Sequence, residues 1–140
     1  MLNRKIRKLL VVLLAMALIF EVGFTQVKAG ENSTQIKVLS IKKRSKSVRV
    51  KVKIINNTKK EIMYDNVFLL YERRGGKWKK LRMKAGYGFD DSLNIILAGK
   101  SAKKIFYIEK NAYCKKMQKN KRYMIKWSIS GKNKKIKFQL

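Results

Sequence analysis

The stretch Ser47–Ile55, SVRVKVKII, alternates apolar and cationic residues one for one, and nothing else in the chain constrains its fold as tightly. Successive residues of a strand point to opposite faces, so Val48, Val50, Val52 and Ile54 share one face and Arg49, Lys51 and Lys53 the other. A helix would scatter these seven around its circumference, and β-branched residues at every second position disfavour one. The spacing predicts a strand with Val50, Val52 and Ile54 in the core and a cationic outer face.

The same period of two runs through most of the remaining chain. QIKVLSIK places Ile36, Val38 and Ile41 in an earlier strand. Asn56–Thr58, NNT, is turn chemistry, since Asn tolerates left-handed backbone and bonds locally. EIMYDNVFLLYERR is strand-like with a break at Asp65–Asn66. Gly75–Gly76 then reads as a hairpin turn, with Trp78 just beyond it. LNIILAGKSAKKIFYIE holds two apolar runs around the turn AGKS, whereas KNAYCKKMQKNKRY lacks alternation and has room for one helical turn. RYMIKWSIS and KKIKFQL alternate again around GKN, and Lys126 between Ile125 and Trp127 repeats the opening comb. Seven or eight short strands with turn signals between them are the signature of an antiparallel sandwich or barrel. With no proline to block edge strands, dense lysine takes that role.

The N-terminus reads differently. Arg4, Lys5, Arg7 and Lys8 precede the uncharged run Leu9–Phe20, and Val27 and Ala29 are the small residues of a cleavage site. This is the layout of a secretory signal peptide over residues 1–29, ahead of a domain at 30–140. The apolar run rises about 18 Å as a helix, short of the ~30 Å hydrocarbon core, and Glu21 interrupts it; a retained membrane anchor is the alternative. Cys114 is the one cysteine, so no lipid-modified cysteine follows the signal and no internal disulfide can form. Burial is the commoner state of a free cysteine, an intermolecular bridge the other.

Formal net charge is +28 for the chain, and +24 once the first 29 residues are removed. Such a charge speaks to partners, and a small domain is comfortable at magnitudes of roughly 2–8. Outside a cell the partners are anionic envelope polymers, lipid surfaces, extracellular nucleic acid and sulfated sugars. The bland alternative is a merely solubilising surface.

Ordered motifs between Val48 and Ile125 resemble a bacterial immunoglobulin-like domain family of exported and surface proteins, mainly of Gram-positive bacteria. VKIINNTKKEIMYDNVFLLYERRGGKWKKL resembles its strand, Asn–Asn–Thr turn and leucine-bearing strand, leading to Gly76 before Lys77, Trp78, Lys79 and Lys80. LNIILAGKSAKKIFYIEKNAY carries Leu97, Gly99 and Ser101 in the family's order. KMQKNKRYMI resembles the last motif, with Lys119 and Asn120 where the family favours Pro and Gly, and Arg122–Tyr123 reversed. The resemblance implies an immunoglobulin-like β-sandwich of about seven strands. It also implies core roles for Leu97 and for Trp78, an aromatic placed to pack across the sheets. Tyr123, near the start of a late strand, is placed for a corner hydrogen bond. The family implies no shared activity.

Chemistry is scarce. The chain has no histidine, so it lacks the commonest general base and zinc ligand, and its single cysteine has no histidine partner. Asp90 and Asp91 are adjacent, too few for a calcium loop, and read as loop charges answering lysines. SAKK and SIKK match a Ser-x-x-Lys spacing that works on a helix, but both lie in strand-like segments. We therefore expect a non-enzyme without catalytic residues, metal or cofactor. The candidate polyanion contacts are Arg49, Lys51 and Lys53 on the comb, and Lys115, Lys116, Lys119, Lys121 and Arg122 within YCKKMQKNKRY, where cations interleave with tyrosines. Lysines spread over every segment fit diffuse contact better than a specific nucleic-acid site. The expected function is a secreted or wall-associated interaction module, held by anionic envelope polymers or meeting another extracellular protein. The alternatives are a cationic effector acting on membranes or host polyanions, and an inhibitor or immunity protein.

Overall fold

A computed structural model describes residues 32–140; the expected signal segment lies outside them. Eight strands run in order: β1 Thr34–Lys43, β2 Ser47–Asn56, β3 Ile62–Arg74, β4 Lys77–Lys80, β5 Asn94–Ile96, β6 Ser101–Glu109, β7 Arg122–Ile129 and β8 Lys132–Gln139. The segment without alternation contributes a 3-10 turn at Lys110–Ala112. All strand pairings are antiparallel. One sheet has the order β1-β2-β6 and the other β4-β3-β7-β8, with β5 also paired to β3. This is the expected all-β immunoglobulin-like sandwich, with β5 a short strand beyond the seven.

The core lies where the alternation put it. Val48, Val50, Val52 and Ile54 have no exposed surface, and each such side chain contributes about 1.5–3 kcal/mol on burial. Phe106 and Ile108 extend that inner face on β6, and Phe68, Leu70, Ile125 and Trp127 face it from the other sheet. Trp127 meets Tyr64 and Phe106 edge-on, at centroid separations of 5.2 and 5.0 Å. Its indole N–H donates to the Asp65 carbonyl at 3.1 Å, which satisfies the one polar atom it buries.

The turns follow their chemistry. Gly75 and Gly76 have φ of 54° and 76°, the left-handed pair that a two-residue hairpin needs. Asn120 stands where the resembled family favours glycine, and its φ of 60° explains the exchange, because Asn is the side chain that best tolerates that region. Asn56 is fully buried. Its amide N–H group donates to the carbonyls of Lys60, Ile96 and Leu97, and its oxygen accepts from the Thr58 backbone and hydroxyl. It therefore fastens the β2–β3 turn to the β5–β6 turn. At the opposite corner the Gln118 N–H donates to the Tyr123 hydroxyl at 2.8 Å, the expected corner bond.

Two sequence-based expectations are corrected. Trp78 does not pack between the sheets. The tight hairpin sets Arg73 opposite Trp78, and because Leu70 and Glu72 face inward, both Arg73 and Trp78 face outward. Leu97 is 60% exposed: β5 ends at Ile96, which takes the core position, and Leu97 gives only its carbonyl to the turn. Of the two states left open for Cys114, burial does not hold: the thiol is exposed, since the buried position beside it belongs to Tyr113. The expected break at Asp65–Asn66 takes a milder form. β3 runs on through it, with a register shift against β7 between Tyr64 and Phe68.

Candidate functional site

The cationic comb lies in the middle of the three-stranded sheet, and its neighbours carry the same charge. Lys53 is opposite Lys37 on β1 and Lys103 on β6, a row of three lysines across the sheet. Arg49 is opposite Lys42 and Tyr107, and Lys51 opposite Ser40 and Ile105. Like charges directly opposite one another destabilise a sheet, so this face is frustrated in the absence of anions. The Arg49 guanidinium lies 5.4 Å from the Tyr107 ring, and its buried Nε has no hydrogen-bond partner in the fold. Leu39, Ile105 and Tyr107, each about half exposed, stand among these cations. The expected site residues Arg49, Lys51 and Lys53 thus belong to a wider surface that also includes Lys37, Lys42 and Lys103.

The second predicted cluster is not part of that surface. Lys116, Lys119, Lys121 and Arg122 are exposed between the 3-10 turn and the start of β7. That segment crosses to the larger sheet, and on the way the Cys114 N–H donates to the carbonyl of Arg82, just after β4. Lys115 is committed within the fold: its ammonium lies 3.0 Å from the carboxylate of Glu72, which is 1% exposed.

The larger sheet has a basic and aromatic outer face of its own. The Arg73 guanidinium lies 5.4 Å from the centre of the Trp78 ring, and the Lys137 ammonium 6.0 Å from it. Lys126 pairs with Lys135 on the same sheet. Here Trp78 serves as a platform for two cations.

Between the sheets lies a lysine that the alternation concealed. Lys104 follows Lys103 on β6, so it must face inward, in register with Val52, and only 8% of it is exposed. Its ammonium sits 5.4, 5.1 and 5.5 Å from the ring centroids of Tyr64, Phe106 and Trp127. It donates to the Asn66 side-chain oxygen at 2.6 Å. Asn66 lies in the register shift of β3, and its amide nitrogen donates to Asp90 at 2.9 Å and to the Ser92 hydroxyl. Burial pushes the Lys104 ammonium below the ordinary lysine range, and the carboxylates of Asp65 and Asp90 oppose that shift only in part. A cleft of about 290 Å³, lined by Asn66, Asp90, Lys104, Phe106 and Tyr113 among others, connects the cluster to solvent. The sequence signal for this group was the doubled lysine in a strand with period two: one of the pair has to point inward.

No group of three or more metal-binding side chains occurs among the described residues, and no helix among them is long and apolar enough to cross a membrane.

A family model described as a bacterial Ig-like domain matches residues 30–135. No curated protein matches the chain. Among solved structures, the ycdA protein of Bacillus subtilis, described as a lipoprotein, is similar with a TM-score of 0.51 and 17% identity, over 79% of this chain and 38% of that one. This chain therefore spans well under half of that relative, and the likeness is one of fold. The archaellum periplasmic stator protein FlaG of Sulfolobus acidocaldarius gives a TM-score of 0.45 and 14% identity, over 77% of this chain and all of that one.

Proposed function

The chain belongs to the bacterial Ig-like domain family, and from that premise we propose that it is a non-enzymatic extracellular interaction module, retained at the cell envelope by anionic polymers. The family supports a binding scaffold, and a scaffold alone does not specify a ligand. The observation that carries the ligand class is the row Lys37, Lys53 and Lys103, flanked by Lys42, Lys51 and Arg49. A repeating polyanion laid along this face would relieve repulsion that the sheet otherwise bears at every row. Lysine ammoniums suit it because they act as mobile point charges toward phosphate or carboxylate and need no fixed geometry.

The test is cosedimentation of the exported protein with purified cell walls over a range of salt. We expect retention at low salt, release as salt rises, and loss of most retention in the triple variant Lys37→Ala, Lys53→Ala, Lys103→Ala, because several lysine contacts contribute jointly. Failure to bind walls at low salt would sink the proposal. Equal retention of the triple variant would move the site elsewhere on the molecule.

A further inference from the structure

The cluster around Lys104 holds a primary amine, a primary amide and a carboxylate in hydrogen-bonded sequence. The amine nitrogen of Lys104 lies 2.6 Å from the oxygen of the Asn66 amide, and the nitrogen of that same amide lies 2.9 Å from Asp90 Oδ2. The amine comes from one sheet and the amide from the other. Three aromatic rings surround the amine, which removes competing water from the nucleophile. The arrangement is also costly as it stands, because a buried ammonium is answered directly by a neutral amide rather than a carboxylate.

We propose that Lys104 and Asn66 condense to an intramolecular isopeptide bond that joins β6 to β3 across the sandwich, with Asp90 as the proton carrier. The Lys104 ammonium first gives up a proton, directly or through water in the cleft, to the Asp90 carboxylate. The free lone pair of Nζ then forms a bond to Cγ of Asn66, a short displacement from the oxygen it now contacts. Asp90 passes that proton to Nδ2 and takes the second proton from Nζ, the Cγ–Nδ2 bond breaks, ammonia departs through the cleft, and the proton left on Asp90 goes to the ammonia or to water. Amine and primary amide become secondary amide and ammonia, with no change of oxidation state and no co-reactant. The product leaves no buried charge in the aromatic box. It supplies the inter-sheet link that a chain with a single cysteine cannot make as a disulfide.

Tryptic digestion of the full chain, followed by mass spectrometry, tests the bond. The expected product is a branched peptide in which Glu61–Arg73 is joined to Lys104–Lys110, lighter than the two together by one ammonia. The Lys104 side chain is then lost as a cleavage site. Recovery of Glu61–Arg73 at its full mass, with cleavage after Lys104, overturns the proposal. So does loss of ammonia from Glu61–Arg73 without a branch, which would mark a cyclised asparagine instead. Asp90 is exposed, so Asp90→Ala should leave the fold intact, checked by circular dichroism, while the branched peptide falls at least tenfold in yield. An undiminished yield in that variant overturns the role of Asp90. This inference does not rest on polymer binding: the digest reads the bond whether or not the protein binds walls.

Discussion

Asn56 shows how much one side chain can hold. It satisfies three carbonyls and accepts two hydrogen bonds with no exposed surface, joining turns that are forty residues apart in the chain. Asn56→Ala leaves the buried carbonyl of Ile96 without that donor and unfastens the two turns, and should cost about 2–4 kcal/mol in urea unfolding. Asn57→Ala, at an exposed neighbour, should cost under about 0.5 kcal/mol. Tyr113 makes a different prediction, in pH. Burial raises its phenol from 10.0 to about 12, so between those values the unfolded chain loses a proton that the folded one keeps. The stabilisation is complete below pH 10 and lost as pH rises through 12. At about 1.36 kcal/mol per unit, it amounts to some 2–3 kcal/mol. Replacing Tyr113 by Phe should flatten this part of the alkaline unfolding profile, followed by fluorescence. Tyr64 and Tyr123, raised in the same direction by burial, keep the remaining slope.

At the scale of elements, the central core role that the sequence suggested for Trp78 passes to Trp127. Trp127 is 1% exposed at the centre of the aromatic cluster, whereas Trp78 lies on the outer face of an edge strand. Trp127→Ala should cost about 3–5 kcal/mol or prevent folding, while Trp78→Ala should cost under about 1 kcal/mol in the same denaturation experiment. That outcome was legible in part. Parity carried from Leu70 through the Gly75–Gly76 hairpin puts Trp78 outside, but that requires the inward position of Glu72, and an acidic residue gives no such signal. The strands with clean alternation, β2 and β7, were readable directly because one face is wholly apolar. The cationic row was readable only as one strand's comb. Lys37 and Lys103 join it through β-pairings that no local pattern contains. Lys104 was hidden for a related reason: its inward position follows from parity, but its partner Asn66 is supplied by an irregularity in β3, thirty-eight residues away. Leu97 was misplaced because a strand of three residues has too few alternations to fix its end.

For the molecule as a whole, the excess of cations raises a question that folding itself can answer. A net charge of +28 attracts polyanions whether the chain is folded or not. A ligand stabilises a fold only to the extent that it prefers the folded state. If the charge acted merely as a sum, an unfolded chain carrying the same lysines would bind long-chain polyphosphate as well as the native domain, and the melting temperature would not rise. The row of Lys37, Lys53 and Lys103 exists only after β1, β2 and β6 have paired, and so does its proximity to Arg49 and Lys42. Polyphosphate should therefore raise the melting temperature. At a hundredfold excess over its dissociation constant the linkage is worth about 2.7 kcal/mol, which corresponds to a rise on the order of 10 °C in calorimetry for a domain of this size. Sodium chloride at the same ionic strength should produce a smaller rise, by screening alone. Replacing the three row lysines by alanine removes only three positive charges and leaves the chain strongly cationic, yet it should abolish most of the polyphosphate effect. An unchanged shift in that variant would mean that the arrangement of the charges contributes nothing, and that the lysine-rich exterior attracts anions only through its total charge.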